Sequence, residues 1–292
     1  MKLHFSRYIA AALLLFVIAS CNKHDLPGLL VSSSDGPDKR FQQSEAYNAS
    51  HSPLEIRAAD ENYRLYLFAD VHVQNSTKNL DDIVRIFHSD RTSPVCLFLG
   101  DFISGKRGFS QIRESLKPVM ESAVDTILCT PGNHDIQFGQ WDEYASIFKT
   151  SCYTFAVVTP SGWKDIYICM DSASGKVGHK QMEWLRRTLY EAYGTLHRHI
   201  ILFTHTNFFK TDALKQGLQG NYNMEETYDL LGLFSDCEVG VVFTGHKHRR
   251  EEITYGGVRY VTLDSSDDEA ETAYYAIADI SRSEIKINHI KL

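Results

Sequence analysis

The chain has 292 residues, 43% of them hydrophobic, and a formal net charge of −7, with 30 Lys and Arg against 37 Asp and Glu. That is enough apolar material for a full core, in one domain or two small ones. The acidic balance excludes a nucleic-acid coat and a polybasic membrane patch, both of which need a basic face; a local positive site made by bound cations escapes this count.

Lys2 and Arg7 open a targeting segment, followed by the unbroken apolar run Ile9 to Ile18 and the small pair Ala19-Ser20 before Cys21. The run falls short of the ~20 apolar residues a bilayer span needs, and its flanks are those of a secretory signal. Ile18-Ala19-Ser20-Cys21 resembles the lipobox of bacterial lipoproteins. That resemblance implies a signal peptide over 1–21, export, and a lipid anchor at Cys21 holding the protein to a membrane of the bacterial cell envelope. An ordinary signal peptide with an incidental Cys is the alternative.

Residues 22–60 carry little periodicity and hold Ser32-Ser33-Ser34, Pro27, Gly36 and Pro37; they read as a tether and irregular lead-in, with order rising at Leu54-Glu55-Ile56. One domain is expected over 61–292. The run Leu65 to Ala69 predicts a strand buried on both faces. Lys78 to His88, with Leu80, Ile83, Val84 and Phe87 on one side, predicts an amphipathic helix. Val95 to Leu99 is a second strand, Phe109 to Ser122 a helix disturbed at Pro118, and Val124 to Cys129 a third strand. A short helix follows over Gln140 to Phe148, then a strand pair, Cys152–Val158 and Asp165–Met170, around Ser161-Gly162. Lys180–Tyr193 and Met224–Phe234 are helices, with strands at His199–Phe203 and Glu238–Phe243. Beyond that, strands at 251–255, 258–263, 273–280 and 284–290 read as a meander, with Gly256-Gly257 as a hairpin turn. Strand–helix alternation followed by strands implies a layered α/β domain, in which ligands collect at the carboxyl ends of strands.

Six cysteines show no CxxC pair, so a thiolate zinc site is not expected, and Cys96, Cys129 and Cys169 sit in apolar runs as small hydrophobes. The strand ends carry a different chemistry. Asp70-Val71-His72, Gly100-Asp101, Thr130-Pro131-Gly132-Asn133-His134-Asp135, Thr204-His205 and Gly245-His246-Lys247-His248 each follow a predicted strand. Singly, each reads as a turn or a satisfied histidine; His246-x-His248 says more, because alternate residues of an extended chain point the same way. Accident does not account for all of them at one sheet edge. Oxygen and imidazole donors without thiolates suit Mn²⁺, Fe, Zn²⁺ or Mg²⁺ and are too nitrogen-rich for Ca²⁺.

This series, in this order over about residues 64–250, resembles the calcineurin-like metallophosphoesterase superfamily. The resemblance implies a four-layer αββα sandwich of two mixed sheets around a binuclear centre of two divalent or trivalent ions, Mn²⁺, Fe or Zn²⁺. By position, Asp70, His72 and His248 would hold one metal, Asn133, His205 and His246 the other, and Asp101 would bridge them. His134 would be catalytic without being a ligand, stabilising the transition state or protonating the leaving oxygen. Asp135 would orient that ring or serve as a turn or first-turn acid. The implied activity is hydrolysis of a phosphate mono- or diester, or an anhydride, of a phosphorylated small molecule or lipid, by in-line attack of metal-bound hydroxide.

Departures narrow the group. Purple acid phosphatases carry a Tyr ligand where Ser104 stands, and serine/threonine protein phosphatases carry an acid there and an Arg at the Pro131 position. The frequent His-x-Pro is His205-Thr206-Asn207 here, while Gln181 to Leu185 resembles a helix common in these enzymes but needs no functional reading. Residues 207–223, with Phe208, Phe209, Lys210 and Tyr222, read as a substrate rim or an ordinary loop, and Lys247, Arg249 and Arg250 as phosphate contacts or solvated charges. A binding or scaffold lipoprotein on the same fold is the alternative function. A metallo-β-lactamase-like enzyme is disfavoured, since that class resembles His-x-His-x-Asp-His and Arg249-Arg250 follow His248.

Overall fold

The computed structural model describes residues 36–51, 54–104, 108–122, 125–212, 215–218 and 224–292; the leader, Cys21 and Tyr222 lie outside them. Two mixed sheets lie face to face with helices outside both. The first has five strands in the order β14-β13-β2-β3-β4, formed by β2 (Tyr63–Phe68), β3 (Val95–Phe98), β4 (Ile127–Cys129), β13 (Tyr274–Ile280) and β14 (Ile285–Lys291). The second has seven, β1-β5-β6-β7-β10-β12-β11, comprising β1 (Leu54–Arg57), β5 (Tyr153–Val158), β6 (Lys164–Cys169), β7 (His199–Phe203), β10 (Val241–Thr244), β11 (Glu251–Tyr255) and β12 (Val258–Thr262). This is the αββα architecture expected.

Period-two alternation explains why the central strands are apolar at every position. In the first sheet Leu65, Leu67, Leu97 and Leu99 face the second sheet, where Tyr167, Cys169, Ile201, Phe203 and Phe243 meet them. Tyr66, Phe68, Cys96 and Phe98 point outward onto α2 (Lys78–Ser89), α3 (Phe109–Met120) and α5 (Trp141–Phe148), through Ile83, Phe87, Ile112, Leu116, Trp141 and Tyr144. On the far side Ile168, Met170, Ile200, Leu202 and Val242 cover α6 (His179–Tyr193) and α7 (Met224–Asp236) through Leu185, Leu189, Leu230 and Phe234.

The sheets also set where the site lies. β2, β3 and β4 run parallel, with Phe68 beside Phe98 and Phe98 beside Cys129, so their carboxyl ends emerge together. β7, β10 and β12 are likewise parallel. Five of the strand ends singled out above therefore open on one edge of the sandwich.

Three local readings are corrected. The strands after residue 250 do not form one meander: β11 pairs antiparallel with β12 on the second sheet, whereas β13 and β14 close the first. The strand expected from Glu238 starts at Val241, because Glu238 takes a left-handed φ of 52° and Val239 N–H bonds back to Phe234 O, finishing α7. The lead-in holds a helix, α1 (Pro37–Asn48), whose buried face is Arg40, Phe41 and Ser44. Two of those three are polar, so apolar periodicity carries no trace of it. Pro118 sits in the last turn of α3, which stops two residues later. Among the described residues no helix is long and apolar enough to cross a membrane, and Cys96, Cys129, Cys152, Cys169 and Cys237 are buried free thiols.

Candidate metal centre

Each of the five strands ends in a tight loop. Among the described residues eight non-glycine positions have φ between 45° and 73°, and five of them are Asp70, His72, Asp101, His246 and His248. Such backbone costs free energy and collects where function demands it. It also corrects the extended-chain reading of His246-x-His248. With both residues left-handed, the two rings do not point the same way; they serve different donor groups.

Asp70, His72, Asp101 and His248 each offer one donor atom, all within 4.8 Å of one another, and Asp101, His205 and His246 do the same. Asp101 belongs to both groups. Asn133, at the start of α4 (Asn133–Ile136), turns Oδ1 toward His205 Nε2 at 3.1 Å. His134 lies beside the cluster with its ring edge-on to His72 at 4.8 Å, and its backbone N–H donates to Asp101 Oδ1 at 2.8 Å. All eight residues singled out in the sequence thus lie together.

The fit to cations can be judged from lone pairs. His205 Nδ1 is 2.7 Å from Leu99 O, which can only accept, so Nδ1 carries the proton. Nε2 of the neutral ring is then an acceptor, yet it faces two more acceptors, Asn133 Oδ1 and Asp101 Oδ2, the latter at 3.3 Å. His72 Nε2 and His248 Nε2 stand 3.0 Å apart, and His72 Nδ1 is buried with no hydrogen-bond partner. Acceptors converging on acceptors call for a proton or a metal ion between them. Nitrogen and oxygen donors in this mixture suit first-row metals, so the residues fit the group.

The electrostatics of the metal-free chain agree. Burial alone would raise Asp70 and Asp101, but the imidazoles facing them, His248 and His205, hold Asp70 below and Asp101 well below the usual carboxylate range. Burial would lower His205, yet the Asp101 and Asp70 charges outweigh it and lift the ring to about 9. Burial, helped by His205, pushes His246 down to about 4, and burial also lowers His72. The carboxylates therefore favour the charged form of His205, while burial favours the neutral form of His246 and His72.

Asp135 does not reach the His134 ring through any hydrogen bond described. Its carboxylate accepts the N–H groups of Gly132, Asp101 and Phe102 at 2.8–2.9 Å, stitching the Asn133 loop to the Asp101 loop as a first-turn acid. Burial and the Asp101 charge push it up, to about 8, against the Gly132 and Phe102 N–H groups and the His205 charge; cations beside Asp101 would relieve that repulsion. The loops touch so closely that glycine is required where they meet. A Cβ on Gly132 would overlap the Asp101 carboxylate, and one on Gly245 would come within 2.7 Å of Asp70 Oδ2. Gly132→Ala is expected to lower stability by about 1–3 kcal/mol through overpacking and to weaken metal binding, read by urea unfolding and metal titration.

The nearby cations are already engaged. Lys247 Nζ meets both Glu251 oxygens at 2.7 Å, Arg249 also bonds Glu251, and the Arg250 guanidinium stands over the Tyr274 ring. Phe208 and Phe209 pack on Phe234, Tyr255 and Tyr260, ahead of the hairpin of β8 (Phe209–Asp212) and β9 (Lys215–Leu218), which is ordinary packing. Two supports add to the site. Ser265 Oγ donates to Asp70 O at 2.7 Å, and buried Gln181 bonds both backbone groups of Asp171. Ser265 carries no sequence signal of its own, whereas Gln181 opens the helix segment whose resemblance was noted without a functional reading.

A two-sheet sandwich with metal-type donors gathered at the carboxyl ends of its strands defines a metal-binding α/β protein. The profile of the calcineurin-like phosphoesterases matches residues 63–250, and the chain belongs to that family. Among solved structures it is similar to GAP50, the anchor in the inner membrane complex of Plasmodium, at 12% identity and a TM-score of 0.55 over 79% of this chain and 84% of that one. Weaker likenesses are to a protein assigned as a 5'-nucleotidase from Staphylococcus aureus (16% identity, TM-score 0.48, 79% of this chain and 54% of that one) and to an archaeal phosphodiesterase (15%, 0.38, 78% and 99%). The likeness to GAP50 speaks to the fold. No curated protein sequence matches the chain.

Proposed function

We propose that the protein is a phosphoester hydrolase working through two metal ions. One would be held by Asp70, His72 and His248 and the other by Asn133, His205 and His246, with Asp101 between them. The observation that carries this reading is the sharing of the Asp101 carboxylate by both donor groups. A carboxylate has two oxygens and a negative charge, which is what two neighbouring cations need between them. When bound, such a pair supplies Lewis acidity and a water nucleophile that ionises near neutral pH.

The chain's own residues do the rest. His205 is held by Leu99 O in the tautomer that leaves Nε2 free. The His246 N–H donates to both Asp70 oxygens at 3.0–3.1 Å, keeping that carboxylate turned into the site. His134 stands at the edge of the cluster, where its imidazole can give a proton to the departing oxygen. Substrates would be phosphate mono- or diesters or anhydrides of a small molecule or lipid.

The test is metal analysis of the purified protein together with hydrolysis of bis-p-nitrophenyl phosphate and p-nitrophenyl phosphate. Two ions per chain, and turnover that a chelator abolishes and Mn²⁺ restores, are expected. A chain that binds no metal would instead be a binding or scaffold protein.

The leader adds a location to the proposal: export and acylation at Cys21, placing the enzyme on an envelope membrane. Cys21→Ser in a bacterial host is expected to abolish incorporation of labelled palmitate and to move the protein from the membrane to the soluble fraction. Membrane retention of the unlabelled variant would rule the anchor out.

A further inference from the structure

Helix α1 begins 26 residues before the matched family span, yet it reaches the loops of the site. Its link is Arg40, fully buried, whose Nε and Nη2 donate to Asp171 Oδ2 and Oδ1 at 2.8 and 2.9 Å. Nη2 also donates to Ser174 Oγ at 3.2 Å. Arg40 thus grips the chain on both sides of Ser172. That residue, itself fully buried, does the same for His205. Ser172 Oγ shares a hydroxyl–hydroxyl hydrogen bond with Thr204 Oγ1 at 2.7 Å and accepts the Thr206 N–H at 2.8 Å, and Ser172 O accepts the Thr206 hydroxyl at 2.9 Å.

We infer that Arg40, through Asp171 and Ser172, is a positioning residue for His205, and that helix α1 is a clamp which makes the metal centre depend on a segment outside the family core. The inference rests on reading His205 as a ligand of that centre.

The geometry favours a positioning role over simple packing. A guanidinium fork on a carboxylate fixes angle as well as distance, and this fork sets the loop that carries Ser172. The segment has other fastenings: Gln181 holds the Asp171 backbone, and the Thr204 hydroxyl also bonds Met170 O at 2.7 Å. Loss of one link should therefore shift the loop rather than unfold it. The rest of α1 is fastened independently. Asp38 accepts the Lys180 N–H, Ser44 Oγ accepts the Ser151 N–H, and Asn48 Nδ2 donates to Cys152 O. A conservative change at Arg40 leaves those bonds in place. Ser172 contacts both neighbours of His205 and belongs to neither donor group, so the chain of contacts has a defined direction toward one metal and not the other.

The test uses the whole chain with Arg40→Lys and Ser172→Ala. Three readouts are Co²⁺ titration followed by visible absorption, the NMR resonance of the His205 Nδ1–H in the metal-free protein, and urea unfolding. Both variants are expected to unfold in one cooperative transition and to weaken the His205-side Co²⁺ site by about 10–100-fold, the usual effect of removing a residue that orients a ligand. The Asp70–His72–His248 site should be unchanged, the His205 resonance displaced, and kcat lowered at constant KM. Equal weakening of both sites, or a lowered unfolding midpoint with the His205 resonance and both Co²⁺ sites intact, would overturn the inference. Should Arg40→Lys not fold, Asp171→Asn, which keeps the side-chain shape and removes the carboxylate that the Arg40 fork grips, takes its place with the same expected results. Should the unaltered chain take no Co²⁺, the hydrolase reading fails, and the clamp stands or falls on the His205 resonance.

Discussion

Asp101→Ala is expected to lower kcat at least about 10³-fold, the scale seen when one electrostatic element of an active site is removed, and to cost metal at both donor groups. The size follows from how many tasks one side chain performs. Oδ2 lies 3.3 Å from His205 Nε2 and 3.8 Å from His72 Nε2, one imidazole from each group, while Oδ1 accepts the His134 N–H. No other residue of the cluster belongs to both groups. Asp101→Asn separates charge from shape, since it keeps an acceptor oxygen and loses the negative charge between the two donor groups. Metal analysis of the two variants measures the difference. Loss of a single ion in Asp101→Ala, with the second retained at full affinity, would refute the bridge.

His134→Ala is the second large effect, and it differs in kind. Loss of a general acid costs about 10²–10⁴-fold in kcat, and here it should come with the metal content unaltered. The ring touches His72 edge-on and only the backbone N–H of His134 bonds Asp101, so alanine preserves that hydrogen bond. The effect should depend on the leaving group. A p-nitrophenolate departs without help, whereas an alkoxide must be protonated, so the deficit should be larger for an alkyl phosphate ester. Equal deficits for the two substrates would assign His134 to charge stabilisation and not to proton transfer.

How much of this was legible beforehand depended on the kind of information involved. The strands at 65–69, 95–99 and 199–203 could be read because both faces of a central strand are buried, which writes an unbroken apolar run into the chain. Helix α2 could be read because one side packs on Phe68 and Phe98 and the other meets water. Helix α1 could not, because its inward residues include Arg40 and Ser44, which bind partners more than a hundred residues away. The register of the late strands was hidden for a related reason. Hairpin β11–β12 and hairpin β13–β14 have similar alternation, and nothing local says which sheet each will join.

The site divides in the same way. The clustering of Asp, Asn and His residues at all five strand ends was readable, because each follows an apolar run that marks a strand. The loop conformations were not readable. His246 and His248 look like neighbours on one face until their φ angles of 73° and 54° send them to separate groups. Asp135 could be read as a partner for His134 or as a first-turn acid, and it is the second, accepting three backbone N–H groups.

By itself, then, the sequence placed the central strands, most of the helices and the Asp, Asn and His residues at the strand ends, since each follows from local pattern, while the four-layer order came through the family resemblance. Tertiary structure alone decided that Gly132 and Gly245 are needed for contact between loops and that Arg40, on a helix far upstream, reaches Asp171, and it puts Asp101, the bridge the resemblance implies, in both donor groups. The physical reason is that these are facts about distances between segments. A linear pattern records what a residue can do, and only the packed chain records what it stands next to.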